Sequence, residues 1–386
     1  MPNQIAPFHL SIPDAALADL QDRLSRTRWP DAETVADTSQ GPQLAKLKAL
    51  CDYWQTSYDW RRCEALLNGL GQLRTEIDGL GIHFLHIRSP EPDAMPLILT
   101  HGWPGSVLEF RDVIGPLTDP AAHGGDPRDA FHLVIPSLPG FGFSDKPTGT
   151  GWGISRIADA WITLMDRLGY TRWGAQGGDW GAAVTTTIAH KAPAGCAGIH
   201  LNFVMYQPTA EEIAEATPAE QAMLASARRY DQVLSGYAKM QATRPQTIGY
   251  ALSDPPAGLA AWIYAMFQDV SDSSGDAESV FSMDTMLDDI MMYWLPNTAA
   301  SSARLYWEAM TEMRTGQAMP GAQALPTAIS MFPGEQVRLS RRWAEKRFST
   351  LVHFNEIDHG GHFAAMEQPT AFVSEIRAGF RVMRGS

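Results

Sequence analysis

The sequence has 386 residues, which is long enough for two or three domains or for one large core with insertions. Its 45% apolar and 19% charged residues are typical of a globular protein, and the net charge of −13 argues against nucleic acid or an anionic membrane as a partner. The three cysteines, without CxxC spacing, argue against a disulfide framework and a structural zinc site. Because residues 1–7 lack the features of a signal peptide and no run of about 18 apolar residues occurs, we expect a cytoplasmic protein.

Helical patterns fill most of the first 70 residues. A helix that begins at Asp14 has leucines at three- and four-residue spacing on one face, and similar patterns cover residues 44–53 and 60–69. These apolar stripes need a partner, so we predict a helical extension that packs against the rest of the chain.

Strands begin after the extension. Two strand-like runs, 73–77 and 82–87, flank a turn signal at 78–81 and predict a hairpin. Strands then alternate with helices, which predicts an α/β fold with a mostly parallel sheet and helices on both faces. The predicted strands are 96–100, 131–135, 172–176 and 196–201, and the predicted helices are 107–117, 154–168 and 182–190.

The alternation stops between about 203 and 321, where the sequence is helical and has no clear strand. It resumes with predicted strands at 324–330 and 350–354, so the helical stretch is an insertion between two halves of a sheet, which indicates a lid. The predicted division is an extension with its hairpin (1–90), the first part of the core (91–203), a helical lid (204–321) and the second part of the core (322–386).

The most informative motif is Gly177 to Gly181, with Asp179 at its centre, between a predicted strand and a predicted helix. A strand, a glycine-flanked residue and a helix make up the nucleophile elbow of an α/β-hydrolase, where the glycines leave room for a sharp, strained turn. The elbow therefore predicts the α/β-hydrolase fold with Asp179 in the nucleophile position.

A carboxylate in this position changes the chemistry from that of a serine. A serine that attacks an sp³ carbon gives an ether, whereas Asp179 gives an ester that water can hydrolyse at its carbonyl carbon. The motif thus indicates an alkyl electrophile such as an epoxide or a halide.

Residues 101–106, His-Gly-Trp-Pro-Gly-Ser, follow a predicted strand at the place where this fold carries an oxyanion loop. We expect the backbone N–H groups of Trp103 and Trp180 to face the oxyanion that forms when water attacks an aspartyl ester. The alternative is a Gly/Pro turn with buried tryptophans.

The general base is expected after the last strand, because the chain order in this fold is nucleophile, acid, histidine. His362 lies in a glycine-containing loop at that place, with His359 as an alternative. For the carboxylate that orients the imidazole we prefer Glu335, which follows a different strand, over Asp358 and Glu356.

Epoxide opening also requires a donor to the developing alkoxide, and a neutral tyrosine phenol is suitable. The residues alone do not choose among the tyrosines of the lid, which are Tyr206, Tyr230, Tyr237, Tyr250, Tyr264, Tyr293 and Tyr306.

Taken together, these motifs resemble those of the microsomal-type epoxide hydrolases, including their bacterial relatives, over nearly the whole chain. The segments that carry the resemblance are 8–13, 26–30, 101–106, 177–181 and 360–367. It implies Asp179 as nucleophile, Glu335 as the acid of the triad and His362 as base. It also implies Tyr237 and Tyr306 as the donors to the epoxide oxygen.

The resemblance further implies a small-molecule epoxide as substrate, a hydroxyalkyl ester intermediate and a vicinal diol as product, with no metal or organic cofactor. The microsomal membrane anchor has no counterpart in the sequence, so membrane attachment is not expected, and exposed lid surface makes a homodimer plausible. Phe141, Phe143 and Trp262 are candidates for the substrate pocket.

Two other functions stay open at this point. A haloalkane dehalogenase shares the aspartate nucleophile on this fold, but it needs side-chain N–H donors for a halide, for which Trp103 and Trp180 are candidates. A non-catalytic protein on the same fold would bind a ligand without turning it over.

Overall fold

A computed structural model of the protein describes residues 4–315 and 325–384. The strands are β1 (Ala6–Pro7), β2 (Gln72–Ile77), β3 (Leu80–Ile87), β4 (Met95–Thr100), β5 (Phe131–Pro136), β6 (Trp173–Gly177), β7 (Cys196–Leu201), β8 (Thr327–Met331) and β9 (Leu351–Glu356). In the described residues they form one sheet in the order β1-β2-β3-β5-β4-β6-β7-β8-β9. In this order the first three pairs, β1-β2, β2-β3 and β3-β5, are antiparallel. The remaining five pairs are parallel.

The predicted hairpin is confirmed, but its turn is shorter than predicted. Ile77 pairs with Leu80, so only Asp78 and Gly79 form the turn, both with positive φ (51° and 78°). A turn of two left-handed residues matches the right-handed twist of the flanking strands. Leu80 and Gly81, which were predicted as part of the turn, are paired residues of β3.

Helices cover the sheet in two layers, as the alternation predicts. The helices before the lid are α1 (Asp14–Ser25), α2 (Leu44–Thr56), α3 (Trp60–Asn68), α4 (Arg111–Thr118), α5 (Ile154–Arg167) and α6 (Asp179–Lys191). The later helices are α7 (Ala210–Ala214), α8 (Pro218–Arg229), α9 (Gly236–Thr243), α10 (Pro245–Ser253), α11 (Pro256–Asp269), α12 (Met283–Trp294), α13 (Ala299–Arg314), α14 (Arg341–Glu345), α15 (Ala364–Glu367) and α16 (Pro369–Arg384). In the core, α5 packs on α6 and α4 packs on α16.

The predicted helix 107–117 is divided in two. Residues Val107–Phe110 form a 3₁₀ turn, and α4 begins only at Arg111. The side chain of Ser106 accepts a hydrogen bond from the Leu108 N–H, which caps the tighter turn, and Phe110 leaves the helical region at φ −95° and ψ 0°.

The described part of the lid contains helices and no strand, and in the chain it lies between β7 and β8, which pair in parallel. The predicted boundary at 321/322 and the first residue of the predicted strand 324–330 lie outside the described residues. The extension packs on the lid, since α1 and α2 contact α11 and α3 contacts α12.

Ion pairs strengthen this contact between extension and lid. Lys46 Nζ lies 2.8 Å from Asp276, and Arg62 lies 2.7 Å from Asp288. Among the described residues, no helix is both long and apolar enough to cross a membrane.

Candidate active site

Asp179 lies at a sharp turn between β6 and α6, as the elbow motif predicts. Its backbone has φ 47°, in the left-handed region that few non-glycine residues occupy. A Cβ on Gly181 would overlap the Thr100 carbonyl, so only glycine lets the helix approach β4 this closely. The turn places the Asp179 carboxylate at the carboxyl end of the sheet.

One oxygen of this carboxylate is held by the 101–106 loop. The backbone N–H of Trp103 donates a hydrogen bond to Asp179 Oδ1 at 2.8 Å. The N–H of Trp180 belongs to the first turn of α6, where amides have no carbonyl partner within the helix. Of the two amides predicted for an oxyanion hole, that of Trp103 is bound to this carboxylate and that of Trp180 follows Asp179 directly in the chain.

His362 and Glu335 meet at the same place. His362 Nδ1 lies 2.7 Å from Glu335 Oε2, and Nε2 lies 3.5 Å from Asp179 Oδ2. The Glu335 side chain is buried, and its other oxygen accepts the Gln336 N–H at 2.7 Å. Burial alone would lower the pKa of His362, but the two carboxylates raise it well above its ordinary value.

Two lid tyrosines complete the arrangement, Tyr306 buried and Tyr237 partly buried. Tyr237 stacks on the Trp103 ring at 5.0 Å, and Tyr306 meets the Trp180 ring edge-on at 4.7 Å. The two tyrosine rings are 6.1 Å apart. Burial, with the nearby acidic groups, raises the pKa of both phenols well above the usual value, so both are neutral hydrogen-bond donors at physiological pH.

Two family models match the chain, "Epoxide hydrolase N terminus" over residues 5–110 and "alpha/beta hydrolase fold" over residues 95–253. An inferred epoxide hydrolase of Stigmatella aurantiaca is 57% identical over 98% of this chain and 86% of its own length. Epoxide hydrolase 1 of Sus scrofa is 32% identical over 97% of this chain and 88% of its own. The chain belongs to the epoxide hydrolase family.

Solved structures of epoxide hydrolases share the fold. The juvenile hormone epoxide hydrolase of the silkworm Bombyx mori superimposes with a TM-score of 0.92 at 28% identity, covering 99% of this chain and 95% of its own. The Aspergillus niger epoxide hydrolase has a TM-score of 0.87 at 30% identity, with coverage of 98% and 97%. The predicted α/β-hydrolase fold and the resemblance to epoxide hydrolases are both confirmed.

The structure separates Tyr237 and Tyr306 from the other lid tyrosines of this epoxide hydrolase. Three hydroxyls have partners elsewhere: Tyr206 donates to Glu212, Tyr264 to Glu278 and Tyr293 to the Gly105 carbonyl. Tyr250 is 72% exposed. Tyr230 is the exception, because its hydroxyl lies 2.8 Å from that of Tyr237. Sequence reasoning missed this contact, since the pair is seven residues apart across a π-helical turn, Tyr230–Leu234.

The alternatives to His362 and Glu335 lie at the protein surface. His359, Asp358 and Glu356 are exposed to solvent. The structure therefore brings together His362 and Glu335, whose roles remain predictions.

The three candidates for the substrate pocket lie in different surroundings. Phe141 is buried against the His101 ring at 5.5 Å, whereas Phe143 packs on the His83 ring at 5.7 Å. Trp262 donates its indole N–H to a lid glutamine at 3.2 Å. These contacts do not decide which of the three touches a substrate, and the assignment stays a prediction.

Proposed function

We propose that this protein hydrolyses an epoxide to a vicinal diol through a covalent ester of Asp179. The observation that carries the proposal is the position of one carboxylate between the His362–Glu335 pair and the lid phenols Tyr237 and Tyr306. Membership of the epoxide hydrolase family supports the same reaction.

The first step forms the ester. Because the Trp103 N–H holds Oδ1, Oδ2 of Asp179 is the oxygen that attacks an oxirane carbon. The C–O bond of the ring breaks, and its oxygen takes a proton from Tyr237 or Tyr306, with the second phenol hydrogen-bonded to it. The product is a neutral hydroxyalkyl ester beside a tyrosinate.

The second step hydrolyses the ester. His362 removes a proton from water, and the water oxygen adds to the Asp179 carbonyl carbon while Glu335 stabilises the imidazolium. The Trp103 and Trp180 amides receive the oxyanion. Collapse releases the diol, whose oxygen takes the remaining proton of the water, and the imidazolium proton restores the phenol.

The charges of the site suit this order of steps. In the free enzyme the Asp179 carboxylate helps to hold the pKa of His362 high. Alkylation removes that negative charge, so the pKa of His362 falls in the ester and the neutral imidazole becomes available as a base. Base catalysis is thereby coupled to formation of the intermediate.

The test is a single turnover of styrene oxide in ¹⁸O-water with enzyme in excess. We expect the label in the carboxylate of Asp179, detected by mass spectrometry of the peptide, and a stable ester in a His362→Gln variant. Solvent oxygen that enters the diol directly in the first turnover would refute the covalent route.

The same assays test the alternatives. Chloride release from a haloalkane, with no diol from styrene oxide, would identify a dehalogenase. Ligand binding without any turnover would identify a non-catalytic protein. The cytoplasmic location and the homodimer remain predictions.

A further inference from the structure

A second carboxyl group, that of Glu109, lies beside the site and has no part in the steps above. It follows the 101–106 loop in the turn Val107–Phe110. Gly105 has no side chain, and a Cβ at that position would overlap the Glu109 carboxyl group. The loop therefore depends on glycine at 105 to leave room for Glu109 at the elbow.

A small cavity joins Glu109 to the reacting groups. Its volume of about 10 Å³ suits a single water molecule. The polar groups on its wall come from Glu109, Asp179, His362 and Asn202. The other side chains that line it are Trp103, Phe110, Phe363, Ala364, Ala365 and Phe372.

The hydrogen bonds around the cavity leave Glu109 available to that water. Asn202 Oδ1 already accepts a hydrogen bond from Gln176 at 2.7 Å. Within residues 4–315 and 325–384, no hydrogen bond is made to the Glu109 carboxyl group. Glu109 is partly buried and its carboxyl group lines the cavity, where a water molecule would provide a hydrogen-bond partner.

We infer that Glu109 is a positioning residue for the water that hydrolyses the Asp179 ester. In this arrangement, which rests on the covalent route proposed above, the water donates one hydrogen to His362 Nε2 and the other to a Glu109 oxygen. Its lone pair then faces the Asp179 carbonyl carbon. Holding the water in this orientation removes much of the entropic cost of the attack.

The protonation state of Glu109 fits this role. Burial, followed by the charges of Asp289 and Asp179, raises the pKa of Glu109 to about 8, against the opposing effect of His362. At neutral pH the group is mostly a neutral acid that accepts through its carbonyl oxygen. It thus places no full negative charge next to the developing oxyanion.

The experiment compares Glu109→Met with Glu109→Gln, two side chains of similar length of which only glutamine can accept a hydrogen bond. Rapid-quench mass spectrometry with styrene oxide measures formation and loss of the Asp179 ester separately. We expect ester hydrolysis to slow by about 10- to 100-fold in the methionine variant, since a positioned hydrogen bond is lost. We expect ester formation to change little in either variant, and glutamine to retain most of the hydrolysis rate.

The outcomes separate this inference from the proposed function. If the wild-type enzyme forms no ester, the covalent route fails. If the wild-type enzyme forms it and Glu109→Met hydrolyses it at the wild-type rate, or if both steps slow equally, only the role of Glu109 fails. If the methionine variant does not fold, a high-resolution crystal structure of the wild-type protein decides: a water within hydrogen-bond distance of His362 Nε2 and Glu109 supports the role, and its absence contradicts it.

Discussion

The tyrosine hydroxyls around Asp179 differ in what each can do for an epoxide. Tyr237 and Tyr306 contact the Trp103 and Trp180 rings that flank the carboxylate. The Tyr230 hydroxyl lies 2.8 Å from the hydroxyl of Tyr237. Its expected role is to orient that phenol.

We therefore expect a graded response to removal of single hydroxyls. Tyr237→Phe and Tyr306→Phe should each slow ester formation by about 100-fold, because each removes a donor to the leaving oxygen. Tyr230→Phe is the matched control and should cost less than about tenfold, since it removes only the partner of a donor. Pre-steady-state ester formation is the measurement, and a larger loss for Tyr230→Phe than for Tyr237→Phe would contradict the assignment.

Glu335 should act on the charge of His362. Its carboxylate is among the groups that raise the pKa of that imidazole, so Glu335→Gln should lower the His362 pKa. The imidazolium formed during hydrolysis would also lose its partner, and the ester should accumulate with a hydrolysis rate reduced by about 100-fold or more. NMR titration of His362 and rapid-quench assays measure the two effects, and an unchanged pKa would argue against direct coupling.

Between elements, Asp288 on α12 joins three parts of the chain. The buried carboxylate accepts hydrogen bonds from Arg62 and Tyr58 of the extension, at 2.7 and 2.8 Å. It also accepts one from Arg111 at the start of α4, at 3.1 Å. The side chain of Asp288 thus connects the extension, the lid and the core.

Removal of this carboxylate should destabilise the protein without changing its chemistry. Asp288→Ala removes the buried carboxylate that two guanidinium groups and a phenol share, and we expect a loss of about 3 kcal/mol in the free energy of unfolding. The matched control is Asp284→Ala on the same helix, whose half-exposed carboxylate lies 3.9 Å from Arg62 and should cost under about 1 kcal/mol. Urea denaturation measures both, and equal losses would show that burial of Asp288 does not matter.

Across the whole molecule, two buried glutamates link the lid to the second part of the core. Glu212 lies 2.8 Å from Arg347, and Glu220 lies 2.7 Å from Arg342. The pKa of each glutamate is lowered from 4.5 to about 2, mainly because of its hydrogen bonds with the arginine. Ionised carboxylates are therefore favoured by the folded state.

The lowered pKa values of Glu212 and Glu220 determine how the stability of the protein changes as the pH falls. A carboxyl group with a lowered pKa in the folded state stabilises it above the unfolded pKa, and the stabilisation is lost as pH falls from about 4.5 through 2. The double variant Glu212→Gln/Glu220→Gln should be less stable than the wild type at pH 7, with a smaller decline in this window. Thermal unfolding at a series of pH values measures it, and parallel curves for both proteins would refute the assignment.

Several elements could be predicted because their signals are local. The elbow at Asp179, the glycine loop before His362 and the alternation of strands and helices each lie within a short stretch of sequence. Strand β1 and the division of helix 107–117 were missed, because a two-residue strand has no periodicity and a 3₁₀ turn is decided by its cap and surroundings. The tyrosines could be chosen only through a family resemblance.

From the residues alone we predicted the fold class, the carboxylate at the elbow and the chain order of the proposed triad, since turn chemistry and periodicity are properties of neighbouring residues. Which distant side chains meet is seen in the three-dimensional packing. Glu335 and His362 are 27 residues apart, and Tyr230 and Glu109 reach the site from the lid and from the loop after β4. Such contacts depend on how distant elements pack against one another, so a local sequence pattern does not predict them.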